Sequence, residues 1–129
     1  MSRRLIPLLS ALALPGCFFV SESDHHSSDG TVVVDWTIHG YKDSSLCTLG
    51  DADAIDVVID RGDWSYETTQ SCRAFSVSID LAPGTYSGIA VLLDPSGADR
   101  TTEVDLGTFT IYGNDVLSVP IDFPAASFY

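Results

Sequence analysis

Residues 73–94 read RAFSVSIDLAPGTYSGIAVLLD, and the spacing of apolar side chains in this stretch decides the fold class. Phe75, Val77, Ile79 and Leu81 alternate without a break with Ala74, Ser76, Ser78 and Asp80, the two-residue period of a strand with one buried face. A strand is therefore predicted over Arg73 to Leu81. Pro83 fixes φ at one central position of a turn, and Gly84 supplies the positive φ that a type II turn demands at the next. The chain then reverses into another strand from Thr85 to Leu93.

Working outward, the same period recurs. Val32, Val34, Trp36 and Ile38 share a face of a strand over Thr31 to His39, and Ile55, Val57 and Ile59 share one over Ala54 to Asp60. Trp64, Tyr66 and Thr68 alternate along a third. Asp94-Pro95-Ser96-Gly97 forms a turn, and a strand follows from Thr101 to Tyr112 with a bulge at Gly107. Gly113-Asn114 makes a tight hairpin turn into the last strand, Val116 to Phe123, whose inward residues are Leu117, Val119, Ile121 and Phe123. Pro120 has no amide hydrogen, which puts that strand at an edge. No window between Thr31 and Tyr129 carries a helical stripe.

Seven half-apolar strands in a 99-residue stretch, 31–129, are best buried as two packed sheets, so the expected fold is an all-β, seven-stranded antiparallel β-sandwich. The segment from Phe75 to Asp94, with LAPGTY leading into SGIAVLLD, resembles the prealbumin-like, carboxypeptidase-regulatory-like family of β-sandwich modules. In that family a Leu-x-Pro-Gly-x-Tyr turn precedes a core strand. The resemblance implies a module of bacterial surface and periplasmic proteins that is seldom catalytic itself. Immunoglobulin-like connections between the strands are the alternative.

Upstream of the domain the chain opens Met1-Ser2-Arg3-Arg4, continues as an apolar run of ten residues from Leu5 to Leu14, and reaches Pro15-Gly16-Cys17. A charged start, a short apolar stretch and a small residue before a cleavage point make a secretory signal, too short to span a bilayer. Leu14-Pro15-Gly16-Cys17 is similar to the lipobox of bacterial lipoproteins. That resemblance implies residues 1–16 as a lipoprotein signal peptide and Cys17 as the lipidated first residue of the mature protein, its membrane partner reached through the acyl chains. Phe18 stands where inner-membrane lipoproteins often carry Asp, so the implied location is the outer membrane. Residues 17–30 read as a tether rich in Ser, Asp and His.

The chain carries 18 acidic against 6 basic residues, and removal of Arg3 and Arg4 with the signal leaves a net charge of −14. Such a field repels polyanions, so nucleic acid is excluded as a partner. With Cys17 assigned to lipid, Cys47 and Cys72 form an even pair in an exported chain, and a disulfide is expected between them. If every strand reverses the chain, the first strand begins at a near end that also holds Arg61-Gly62-Asp63, Pro83-Gly84 and Gly113-Asn114. The far end then holds Gly40 to Asp53, the segment around Cys72, Asp94 to Arg100 and the tail after Phe123, which brings Cys47 and Cys72 to one end.

At the far end Asp43, Asp51, Asp53, Asp94 and Asp99 invite two readings: a calcium site built from loop carboxylates, with Asp51, Asp53, Asp94 and Asp99 as the candidate ligands, or solvated acids that keep the protein soluble. His25-His26 beside Asp24 and Asp29 lacks a preorganised third ligand and reads as linker. Arg61-Gly62-Asp63 reads as a turn in preference to an integrin-binding tripeptide. His39 lies near Ser44 and Ser45 without an elbow motif, so no hydrolytic constellation is legible and no enzyme is expected. The reading is a lipid-anchored envelope protein that binds, or acts structurally, through its far-end loops, its partner an envelope protein or a glycan. A carbohydrate module using Trp64, Tyr66 and Tyr41 as an aromatic platform is the alternative, and a hydrolase comes third.

Overall fold

A computed structural model describes residues 28–129. Residues 1–16, expected to be a signal peptide, Cys17 and His25-His26 lie outside the described residues. Seven strands follow in chain order: β1 (Gly30–Ile38), β2 (Ala54–Arg61), β3 (Trp64–Ser71), β4 (Ser76–Leu81), β5 (Gly84–Leu93), β6 (Val104–Ile111) and β7 (Val116–Phe123). They form a three-stranded sheet in the order β4-β1-β7 and a four-stranded sheet in the order β3-β2-β5-β6. The domain is an all-β sandwich.

The faces follow the two-residue period. Val32, Val34, Trp36 and Ile38 of β1 and Ile55, Val57 and Ile59 of β2 are all without solvent exposure and share one core. Leu81, Tyr86, Leu92, Phe109, Ile111 and Phe123 complete it. Each fully buried aliphatic or aromatic side chain contributes about 1.5–3 kcal/mol through the surface it removes from water.

The pairing is not antiparallel throughout. β1 and β7 run parallel, from Thr31 opposite Val116 to Ile38 opposite Phe123. The reason is parity: each connection reverses the chain, so the first and seventh strands point the same way and can be neighbours only in parallel. β7 lies at a sheet edge, as Pro120 requires. The strand order also separates this fold from an immunoglobulin sandwich, which places strands A, B, E and D in one sheet and C, F and G in the other. Here the β2–β3 hairpin stays in one sheet, and β1 pairs with β4 and β7.

Five local expectations are corrected. Gly30 is already paired with Leu81 and buried, so the domain begins inside the segment expected to be tether. A short helix, α1 (Ser44–Leu49), stands in the first inter-sheet connection. Its N-cap is Asp43, whose carboxylate accepts from Ser45 N–H, and at six residues it is too brief to show a helical stripe. The strand expected from Arg73 starts at Ser76, because Cys72–Ala74 form a 3₁₀ turn and Phe75 sits in the left-handed region at φ 60°. Gly84 opens β5 at φ 159° and not at the roughly +80° of a type II turn; a Cβ there would lie 2.6 Å from the Arg61 guanidinium carbon. Gly113-Asn114 does turn the chain, yet it carries it from β6 in one sheet to β7 in the other. The bulge at Gly107 is present: φ is 77°, and the β5–β6 register slips between Gly88 and Ile89.

Candidate functional site

The two ends of the sandwich are built differently. At the far end, Cys47 of α1 and Cys72 are joined by a disulfide and are both fully buried. Trp36 donates its indole N–H to the Cys72 carbonyl at 2.9 Å, and Cys72 N–H donates to the Asp53 carbonyl at 3.0 Å. Trp36 N–H donates to the Phe75 carbonyl at 3.1 Å, which accounts for the left-handed Phe75: the bend lets its backbone reach β1 while its ring lies 6.4 Å from the Trp36 ring.

The tail closes the same end. Thr102 N–H donates to Ser127, Tyr129 N–H donates to the Arg100 carbonyl, and the Arg100 guanidinium bonds the Tyr129 main-chain oxygen. That guanidinium also lies over the Phe128 ring, 5.8 Å from its centre, and His39 meets the same ring edge-on at 5.7 Å. An open cleft of about 360 Å³ remains between Ile38, Leu46, Leu49 and Phe128, with His39 and Arg100 on its walls.

The acidic candidates reach this end without converging. Asp94 is consumed by its own turn: its carboxylate accepts from the Ser96 hydroxyl at 2.6 Å, Ser96 N–H at 2.9 Å and Ala98 N–H at 3.0 Å. The Ser96 hydroxyl and the Ala98 amide hold its pKa below the ordinary carboxylate value. Asp43 is lowered too, first by the Ser45 backbone amide. Asp51 follows α1 in the left-handed region, and Asp53 and Asp99 serve the β5 end through backbone contacts. Among the described residues no three His, Cys, Asp or Glu side chains are grouped to hold a metal ion, so Asp51, Asp53, Asp94 and Asp99 are not brought together as one carboxylate cluster. Nor do the cations gather on these acids: Lys42 pairs with Asp35 at 3.7 Å, and Arg73 donates to Thr48 at 2.7 Å.

The near end is made of turns, the β2–β3 hairpin tip among them, and carries aromatic surface. Trp64 and Tyr66 alternate on the face of β3 that Ile59 shares on β2, the inward face. Yet they remain 45% and 40% exposed, because β3 is the sheet's edge and Trp64 sits at the hairpin tip. Their rings are parallel within 7° at 6.2 Å, and Trp64 meets Tyr86 edge-on at 5.9 Å. Arg61 is fixed behind them, bonding the Pro83 carbonyl at 3.2 Å and lying over the Tyr86 ring. A cleft of about 380 Å³ opens beside Trp64, Arg61 and Asp80. Across the same end Tyr112 and Val116 flank the β6–β7 turn, 64% and 73% exposed.

Tyr41 bridges to Ile38 at the far end, so the platform of Trp64, Tyr66 and Tyr41 is not assembled. The pairing of Tyr66 with Trp64 was legible from their i, i+2 spacing; the Tyr112 and Val116 surface was missed, because exposure at a turn leaves no periodic signal. His39 is the sole histidine among the described residues, and its ring packs edge-on against Phe128. No described helix is long and apolar enough to cross a membrane.

No family model matches the chain, and no curated protein does. Among solved structures it is similar to part of a leucine-rich repeat protein from Bacteroides thetaiotaomicron, at 17% identity and a TM-score of 0.53 over 77% of this chain. The chain spans 12% of that protein's length. At such identity the likeness concerns the sandwich fold alone.

Proposed function

We propose that the protein is held in the outer membrane through acyl chains on Cys17 and acts there as a non-catalytic β-sandwich module, binding or structural, of the prealbumin-like kind. The observation that carries the reading is the fate of the cysteines. Cys47 and Cys72 are buried in one disulfide, the chemistry of an oxidising, exported compartment. Cys17 is the remaining cysteine, directly after the Leu14-Pro15-Gly16 segment that is similar to a lipobox. The LAPGTY segment running from the end of β4 into β5 and the departure from immunoglobulin strand order support the prealbumin-like assignment. In this reading the disulfide-braced far end, with its apolar cleft beside His39 and Arg100, is the surface turned toward an envelope partner.

Intact mass of the protein extracted from membranes tests the anchor. The expected product starts at Cys17, carries acyl chains, and lacks two hydrogens for the disulfide. An unmodified chain starting elsewhere overturns it.

A further inference from the structure

Four exposed apolar side chains, Trp64, Tyr66, Tyr112 and Val116, lie at the end of the sandwich where the chain enters β1. We infer that this end is a seat for a zwitterionic lipid surface, so that the domain lies with its near-end turns against the bilayer it is tethered to. The inference rests on the anchoring reading and deepens it by giving the domain an orientation.

The length of chain outside the structure identifies the occupant. Twelve residues separate Cys17 from Gly30. Twelve residues of polypeptide span about 20 Å on average as a random coil. β1, at nine residues, is itself about 30 Å long. With a span of about 20 Å against a strand of about 30 Å, a bilayer tethered at Cys17 is on average nearer the near end than the far end. The point of attachment is fixed as well, since Asn114 N–H donates to the Asp29 carbonyl at 3.0 Å and Thr31 N–H donates to the Asp115 carbonyl at 2.8 Å. The chain thus leaves the domain beside the β6–β7 turn, next to Tyr112 and Val116.

Placement of the four residues suits a flat surface. Trp64 and Tyr66 belong to β3 and Tyr112 follows β6, the two outer strands of the four-stranded sheet. They stand three strand spacings apart, about 14 Å, so the contact has two footholds with the tether beside one of them. Trp and Tyr suit the headgroup level because each joins an apolar ring to a polar tip. Asp29, Asp63, Asp80 and Asp115 line the same end, against Arg61, so the lipid is zwitterionic: an anionic surface is repelled.

The two tryptophans make the test selective, since Trp36 is fully buried and only Trp64 can meet lipid. The mature protein is placed in phosphatidylcholine vesicles carrying brominated acyl chains. Trp64 emission is expected to shift to the blue and be quenched, Trp64→Phe to abolish the change while Trp36 emission reports an intact fold, and Tyr112→Ser with Val116→Ser to reduce it. Replacing half of the lipid by phosphatidylglycerol at low salt is expected to weaken quenching. If the mass shows no acyl group, the same assay runs on protein coupled through the Cys17 thiol to a maleimide lipid, so the seat is judged separately from the anchor. Unchanged Trp64 emission on tethered protein overturns the inference. So does stronger quenching by the anionic vesicles, a shift that grows with protein concentration without lipid, which puts a second copy there, or a shift seen only with neutral oligosaccharide.

Discussion

Trp36 and Trp64 occupy equivalent places in two alternating strands and meet opposite fates. Trp36 lies on β1, the central strand of its sheet, with no exposure and its indole N–H satisfied by the Cys72 carbonyl. Trp64 lies on β3, an edge strand, where its ring touches Tyr66 and Tyr86 and is otherwise open to solvent. A period-two pattern says which face a residue takes; only sheet order says whether anything covers that face. The covered position belongs to the far end, cross-linked by sulfur and by the tail, and the open one to the near end, made of turns.

The largest expected effect is a direct contrast of the two. Trp36→Ala leaves a cavity and an unpaired carbonyl and is expected to cost about 3–5 kcal/mol in urea unfolding. Trp64→Ala is expected to cost about 1 kcal/mol or less, since half its surface was never buried. Equal losses would mean that β3 is covered after all. Next comes the cross-link. Replacing Cys47 and Cys72 together by Ser frees a loop whose ends are 25 residues apart and is expected to destabilise by about 3.5 kcal/mol. In that variant amide exchange is expected to rise first in α1 and around Cys72, with the near-end turns slower to follow. Uniform loss of protection would show that the ends are not independent.

The same contrast explains what could be read from sequence. Inward residues such as Val32, Val34, Ile55, Val57 and Ile59 were legible because burial on one face leaves a period. The ends at which loops meet were legible from parity alone, and they agree with the Cys47–Cys72 disulfide expected from the cysteine count. Parity also contained the parallel β1–β7 pair, but neighbourhood in a sheet depends on long-range packing that no local pattern records. Phe75 misled for a related reason: it continues the alternation of Val77, Ile79 and Leu81, yet the disulfide at Cys72 and the Trp36 hydrogen bonds bend its backbone out of the strand. The far-end acids misled by composition. Asp94 and Asp43 spend their carboxylates on a turn and a helix cap, a local use that looks like ligand clustering until the hydrogen bonds are seen.

Those carboxylates make a third contrast, in acid. In the folded state Asp94 and Asp43 are held below their ordinary values by hydrogen bonds that favour the ionised form. The unfolded chain therefore takes up protons first. Their contribution is present above the unfolded value of about 3.9 and is lost as pH falls through the lower folded values. Asp94→Asn is expected to flatten the loss of stability below about pH 4, read as melting temperature against pH beside the parent.

The smallest effect has the opposite sign and lies on the outer face of the β2–β3 hairpin. Glu67 pairs with Val58 and stands diagonally from Asp56, two residues away in register. Hydrogen bonding to Asp56, and then repulsion by it, raise the Glu67 pKa. A folded value above the unfolded one means that the folded state binds the proton more readily, so stability gained from this pair is full below the unfolded value of about 4.3 and is lost as pH rises through the folded value. At neutral pH the two carboxylates oppose each other across the hairpin. Glu67→Gln is expected to raise the melting temperature slightly at pH 7 and to lose that advantage as pH falls into the carboxylate range, where the parent's own Glu67 becomes protonated. Solvent damps the effect at so exposed a site, so its sign is the measurement. An advantage of Glu67→Gln that instead grew as pH fell would mean that Glu67 and Asp56 do not share a proton in the folded hairpin.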